Sequence, residues 1–295
     1  MTQISKNIII FYHKNCLDGF ASSFVAWKNF KDKAEYIPLS HNEDGKDILK
    51  GEKIKISDLK DKEVYFIDFC LGEEEIKKVE KIAKNLVVID HHIGTKDIVE
   101  SLANSIFKDG VSGAYLASEY FFPKKEVSKL IRYISAGDTY TWGSQKFEQE
   151  LLNYIHTQDF DFRDFLKLEK DIEDKDKFNQ IKETGFLLQK IKSRQIDSQI
   201  EYAKVIEWEG YKVYALNSTT LSSEIGNRLC DEKIVDFAMI YRFSDGELRF
   251  SLRGKDKVDL SKLCKKYGGG GHFNASGFRT KDEKFIQGFI KKIIS

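Results

Sequence analysis

Three short apolar runs, NIIIFY (7–12), VYFIDF (64–69) and LVVID (86–90), constrain this chain more than any other feature. Each is rich in Ile, Val, Phe and Tyr, and too short to be a helix of its own. Near-continuous apolar character over so few residues marks a strand buried on both faces. EYIPL (35–39) adds a further strand, and residues 19–30 have helical spacing with Phe20, Phe24 and Trp27 on one side. EEEIKKVEKIAKN (73–85) is an amphipathic helix, acidic at its start and basic at its end as the helix dipole favours. Strands alternating with helices predict an α/β fold, a mainly parallel sheet with helices on both faces.

Helices are also predicted over 112–122 and 126–137. From about 147 to 205 the chain is strongly charged. Phe165, Leu168, Ile172, Phe178, Ile181, Leu188, Ile191, Ile196 and Ile200 recur there at mostly helical intervals. That pattern predicts a helical connector with one buried face. The pattern changes again after 205. YKVYAL (211–216), DFAMIYRF (236–243) and ELRFSLR (247–253) read as strands, SDG (244–246) as a hairpin turn, and 222–231, 259–267 and 282–294 as helices. The predicted organisation is an N-terminal domain over 1–146, a helical connector over 147–205, and a smaller C-terminal α/β domain with a mixed sheet over 206–295.

The net charge of +1 balances 48 basic against 47 acidic residues. A protein that grips long duplex nucleic acid usually shows a basic excess, so a small or short phosphorylated ligand fits better. No apolar run reaches bilayer length, so no membrane partner is expected. The opening MTQISKNIII has neither a basic start nor a small-residue cleavage site, and a cytoplasmic location is the expectation. Cys16, Cys70, Cys230 and Cys264 are scattered, with no pair at structural-zinc or redox spacing.

The strand ends carry the chemistry. NIIIFY runs into His13 and Asp18, VYFID ends on Asp68, and LVVID ends on Asp90, followed by His91 and His92. In open parallel sheets ligands bind beyond the carboxyl ends of the strands, so these groups are expected at one crevice. Asp138, in SAGDTYTW (135–142), follows a predicted helix and is a fourth acid for the same place. Taken singly, each has a plainer reading: an Asp as a helix N-cap, a His as a half-buried hydrogen-bonding group. Together, carboxylates and imidazoles in one crevice call for a cation. Oxygen and imidazole donors without thiolate pairs suit Mn²⁺, with Mg²⁺, Fe²⁺ or Co²⁺ as alternatives. Near the C-terminus, GGGGH (268–272) has backbone N–H groups that can form an anion nest, and Arg253 at a strand end can grip a phosphate bidentately. His272, Asn274 and Ser276 adjoin it. Ser222, Ser223 and Glu224 read as a helix cap, Asn217 and Arg228 as weaker candidates for ligand contact, and Phe273 and Tyr241 as core aromatics rather than base-stacking groups.

These segments resemble the DHH phosphoesterases. HKNCLDGFASS (13–23), FIDF (66–69), VIDHH (88–92) and AGDT (136–139) look like the family's successive motifs. FSLRGKDKVDLSKLCKKYGGGGHFNASGF (250–278) is similar to the substrate-binding domain with a GGGH loop found in one subgroup. The resemblance implies that Asp68 bridges two metal ions. It places His91, Asp18 and Asp138 in one site and His13 in the other. It also implies that His92 faces phosphate and that Asp90 orients a ligand histidine. Arg253, Gly269, Gly270, Gly271, His272 and Asn274 would bind substrate. Many members carry an acid where this chain has Cys16; a metal-ligating Cys16, a small filler, or Asn15 in its place are all open readings.

The implied activity is metal-dependent hydrolysis of a phosphoester by metal-activated water, with one or two Mn²⁺ as cofactor. The subgroup's substrates are short oligoribonucleotides, dinucleotides such as pGpG, and 3′-phosphoadenosine 5′-phosphate, which would make nanoRNA degradation one role. A homodimer is compatible with the resemblance. The competing expectation is a nucleotide-binding sensor with a decayed centre.

Overall fold

The first sheet is built from residues whose side chains alternate between two apolar layers. The computed structural model describes residues 5–40, 54–139, 141, 147–231 and 234–294, without the side chains of residues 147, 148 and 272. Contacts within the chain divide it into Met1–Gln189 and Lys190–Ser295.

In the first unit, β1 (Ile8–His13), β2 (Ala34–Leu39), β3 (Glu63–Ile67), β4 (Asn85–Asp90) and β5 (Ile106–Phe107) form a parallel sheet in the order β2-β1-β3-β4-β5. Ile10, Tyr65, Ile67, Val87 and Ile89 face one layer, and Ile9, Phe11, Val64, Phe66 and Val88 the other. The first layer is closed by α1 (Leu17–Phe30), α4 (Gly113–Phe121), α5 (Lys129–Asp138), α6 (Phe147–Ile155) and α7 (Phe162–Glu173). The second is closed by α2 (Glu73–Ile82) and the short α3 (Lys96–Glu100) through Ile76, Val79 and Val99. Leu151, Ile155, Phe165, Leu168, Ile172 and Ile181, from the segment predicted as a connector, pack in the first layer. The long helix α8 (Lys175–Ile200) runs through the division at Gln189.

Strand order reverses between β1 and β3. The chain leaves β1 for β2 on one side and later reaches β4 and β5 on the other. That switch point opens a crevice at the carboxyl ends of β1 and β3, the place where such sheets bind ligands.

The second unit has β6 (Lys204–Trp208), β7 (Tyr211–Asn217), β8 (Phe237–Ser244), β9 (Glu247–Gly254), β10 (Gly270–His272) and β11 (Ala275–Thr280) in the order β10-β11-β9-β8-β7-β6. Only β7 and β8 run parallel, so the sheet is mixed. One face packs on α10 (Leu260–Lys265) and α11 (Glu283–Ile294), the other on α9 (Ser222–Asp231) and Ile196. The SDG turn has Asp245 at φ 54° and Gly246 at φ 76°, the mirror-image turn that matches strand twist.

The α/β fold with a second mixed sheet is as the sequence predicts. The sequence reading leaves out β5, β6, β10 and β11. In particular, the glycine run predicted as a loop forms an edge strand, with Gly270 opposite Gly277 and His272 opposite Ala275. A side chain at Gly269 would put its Cβ 2.2 Å from the Gly277 carbonyl oxygen, so only glycine lets the run lie against β11. Among the described residues no helix is long and apolar enough to cross a membrane.

Candidate metal centre

His13 is the last residue of β1 and Asp90 the last of β4, while Asp68 follows directly on β3. Asp68 sits at φ 57°, a left-handed conformation that costs a non-glycine residue about 1–2 kcal/mol. Its backbone N–H donates to the Ile89 carbonyl at 2.9 Å, so the main chain stays tied to β4 while the side chain turns inward. Only 1% of Asp68 is exposed. Its Oδ1 lies 3.2 Å from His91 Nε2, and its Oδ2 lies 3.6 Å from His13 Nδ1, beyond hydrogen-bond reach. Oδ2 has no hydrogen-bond partner among the described residues.

His91 Nε2 is also 3.4 Å from Asp138 Oδ2 and 3.9 Å from Asp18 Oδ2. Three carboxylates therefore surround one ring nitrogen. Asp138 closes α5 and is the most exposed of them, with 29% of its side chain accessible. Asp18, in the first turn of α1, is held from across the fold. Its Oδ2 accepts from the Gly113 N–H at 2.7 Å and its Oδ1 from the Ala114 N–H at 3.1 Å. These are the unpaired donors at the N-terminus of α4, where the helix dipole favours an anion.

Asp90 plays a different part. Its Oδ1 lies 2.7 Å from His92 Nδ1 and accepts the His91 and His92 backbone N–H groups at 2.8 and 3.3 Å. Its Oδ2 accepts the Thr95 hydroxyl at 2.7 Å. Both oxygens are engaged inside the loop, which fixes the ring of His92 and leaves Nε2 of the neutral imidazole as its lone-pair nitrogen.

The electrostatics follow from crowding. Burial pushes the Asp68 carboxyl up, but His13, His91 and His92 outweigh it and hold Asp68 below the usual carboxylate range. Asp18 is pushed well up, by burial first and then by Asp68 and Asp138. Burial lowers His91, yet Asp68, Asp138 and Asp18 raise it to about 9. His92 is raised as well: burial lowers it, but Asp90 more than offsets that. Burial, then Asp68 and Asp18, pushes the Cys16 thiol up.

The donors fall into three overlapping groups, Asp18–His91–Asp138, His13–Cys16–Asp68 and Asp68–Asp90–His91–His92, each within 4.8 Å. A buried carboxylate oxygen without a hydrogen bond, standing where these groups overlap, fits a divalent cation. His13, Cys16, Asp18, Asp68, Asp90, His91, His92 and Asp138 are thus all brought together at the switch point.

In the second unit, Arg253 on β9 donates to Ser223 Oγ at 2.5 Å, Ser251 Oγ at 3.1 Å and the Leu252 carbonyl at 2.8 Å. Ser223, read from sequence as part of a helix cap, therefore holds the arginine. The Asn274 amide is engaged with Asp256, donating to its carboxylate at 2.7 Å and accepting its backbone N–H at 2.8 Å. No Cβ at Gly270 would meet a neighbour, whereas Gly269 and Gly271 lie tight on β11. The side chain of His272 lies outside the described residues. Asn217 donates to the Tyr241 carbonyl at 3.0 Å, Arg228 faces Asp197 at 3.8 Å, and Tyr241 packs edge-on against Phe289. Phe273 is 46% exposed.

Sequence reasoning missed Thr95, Ser112 and Gly113. A Cβ on Gly113 would stand 2.6 Å from Asp68 Cβ and 3.1 Å from Asp18 Oδ2, so the centre closes only around glycine. The signal was present in VSGAY (111–115), a serine N-cap and a glycine opening a helix, which is an anion-binding arrangement. Also missed was the register that aligns Arg242, Arg249 and Arg279 across β8, β9 and β11, with buried Glu247 2.6 Å from Arg249.

Residues 211–295 match the DHHA1 domain. The chain is 31% identical to the uncharacterized protein R106 of Acanthamoeba polyphaga mimivirus, over 91% of this chain and 66% of that protein. It is 24% identical to oligoribonuclease NrnB of Bacillus subtilis (strain 168), over 93% of this chain and 73% of the relative. The chain thus spans about two thirds of the length of R106. Among solved structures, the pGpG-specific phosphodiesterase PggH from Vibrio cholerae shares the fold with a TM-score of 0.52 at 16% identity, covering 98% of this chain and 99% of that one. The first unit thus has a parallel sheet with the Asp-His-His cluster at its switch point, and residues 211–295 of the second match the DHHA1 domain, so the chain is similar to the DHH phosphoesterases in both parts.

Proposed function

We propose that the protein is a divalent-metal-dependent phosphoesterase acting on short nucleotides, with Mn²⁺ as the first candidate ion. The observation that carries this reading is the position of Asp68. One buried carboxylate turns an oxygen toward His91 and its flanking acids, and the other toward His13. The oligoribonuclease NrnB and the pGpG-specific phosphodiesterase PggH, to which the chain is similar, support a nucleotide phosphoester as substrate.

Asp18, Asp68, Asp138 and His91 would hold the cation, with His13 on the far side of Asp68. The bound ion supplies Lewis-acid activation of water and neutralises charge at phosphorus. His92, held by Asp90, is assigned to a phosphoryl oxygen, where its Nε2 can hold or hand over a proton. Arg253, presented by Ser223 and Ser251, and the backbone of Gly269, Gly270 and Gly271 are assigned to substrate phosphate.

The test is hydrolysis by chelator-stripped protein of pGpG, a short RNA oligomer and 3′-phosphoadenosine 5′-phosphate, with Mn²⁺ or Mg²⁺ added back. Turnover restored by metal and lost in Asp68→Ala supports the enzyme and ranks its substrates. Nucleotide binding without turnover under either metal removes the catalytic reading and leaves a sensor.

A further inference from the structure

We infer that Cys16 is a metal ligand, and that the centre comprises two unlike cation sites sharing Asp68. This deepens the metal-dependent reading above and rests on it. One site is Asp18, His91, Asp138 and Asp68, all oxygen and imidazole; the other is His13, Cys16 and Asp68, with a thiolate.

The local chain geometry brings the second set together. β1 ends at His13, and Asn15 at φ 56° turns the backbone in a left-handed step before α1 begins at Leu17. Asparagine tolerates that step better than most residues. The turn returns Cys16 toward His13, and the His13 nitrogen, the Cys16 sulfur and an Asp68 oxygen lie within 4.8 Å of one another. Asp68 supplies a second, independent pointer: its Oδ2, fully enclosed, has no hydrogen-bond partner among the described residues.

The alternative, Cys16 as apolar filler, fits poorly. Cys70, Cys230 and Cys264 are buried as fillers are, whereas Cys16 is partly exposed at the crevice.

Binding converts the thiol and a free cation to a metal–thiolate bond and one proton released to solvent. A thiolate is a softer donor than carboxylate and favours Fe²⁺, Co²⁺ or Zn²⁺ over Mg²⁺ or Mn²⁺. The two sites therefore discriminate between ions: the oxygen-rich set takes Mn²⁺ or Mg²⁺, and the Cys16 set a thiophilic ion.

Co²⁺ titration of the chelator-stripped full chain tests this, read by ultraviolet–visible absorption and by counting bound ions after dialysis. Thiolate ligation gives an intense near-ultraviolet charge-transfer band that saturates with one equivalent. Cys16→Ser should lose that band and one equivalent of Co²⁺ while keeping the weaker visible bands of the other site. Cys16→Asp should restore a second equivalent, now accepting Mn²⁺, without the band. Thermal melting of both variants at the wild-type temperature excludes misfolding as the cause, and if Ser melts early the Asp variant carries the comparison. A wild type that binds Co²⁺ without the band, binds none, or keeps the band in Cys16→Ser overturns the inference. The band without turnover leaves Cys16 ligation standing and removes the phosphoesterase reading; turnover with Co²⁺ bound and no band does the reverse.

Discussion

Asp90 holds His92 through a 2.7 Å contact between Oδ1 and Nδ1, while its other oxygen accepts from the Thr95 hydroxyl at the same distance. Asp90→Asn keeps the size of the group but removes its charge and one of its two acceptors. Loss of a carboxylate behind a functional histidine typically costs about ten- to a hundredfold. Steady-state turnover is expected to fall by that much, with the count of bound metal unchanged. A drop under twofold would show that His92 needs no such support.

Gly113→Ala should damage the centre without touching any donor. The added carbon meets Asp68 Cβ at 2.6 Å, and these are packed main-chain neighbours with little room to yield. Overpacking of this kind costs about 1–3 kcal/mol. A lower melting temperature together with weakened Mn²⁺ binding by calorimetry is expected. Unchanged metal affinity would mean that α4 shifts freely.

Metal affinity should rise with pH. His91 is raised to about 9 by Asp68, Asp138 and Asp18 against the effect of burial, so it carries a proton at pH 7 in the metal-free protein. A cation needs the neutral imidazole, and Asp18, also raised, must lose its proton too. Calorimetry in buffers of different ionisation heat is expected to show proton release and tighter binding from pH 6 to 9. A flat profile would remove His91 from the ligand set. In the metal-free protein the sign reverses. A folded-state value above the ordinary 6.5 stabilises the fold fully below 6.5, and that contribution disappears as pH passes about 9.

Arg253→Lys keeps the charge and discards the fork that Ser223 and Ser251 position. Hydrogen bonds to charged groups are worth about 1.5–3 kcal/mol, so KM for a phosphorylated dinucleotide should rise about ten- to a hundredfold. Metal binding should not change. Equal loss in KM and in metal count would indicate a folding defect instead.

Much of this was legible because it is local. β1, β3 and β4 announce themselves by apolar runs, and the acids and imidazoles directly after them mark the ligand edge of the sheet. What stayed hidden is non-local. Gly113 matters only because it meets Asp18 and Asp68, and no periodicity links 113 to 18 or 68. β6 is an edge strand with alternating polar residues, and Val205 is exposed in it. The glycines of β10 have no strand propensity at all; pairing with β11 makes them a strand. Leu151 to Ile181 read as a charged connector because each helix there buries only a narrow stripe, and only the assembled layer shows which core receives it.

The donors of the centre come from His13, Asp18, Asp68, His91 and Asp138, carried by β1, α1, the turn after β3, the segment after β4 and the end of α5. No two neighbouring segments of the unfolded chain hold a complete set. The cation affinity and the integrity of the first unit are therefore one thermodynamic quantity seen from two sides: an ion that binds only the assembled crevice works as a clasp, raising the melting temperature in proportion to the logarithm of its concentration over Kd.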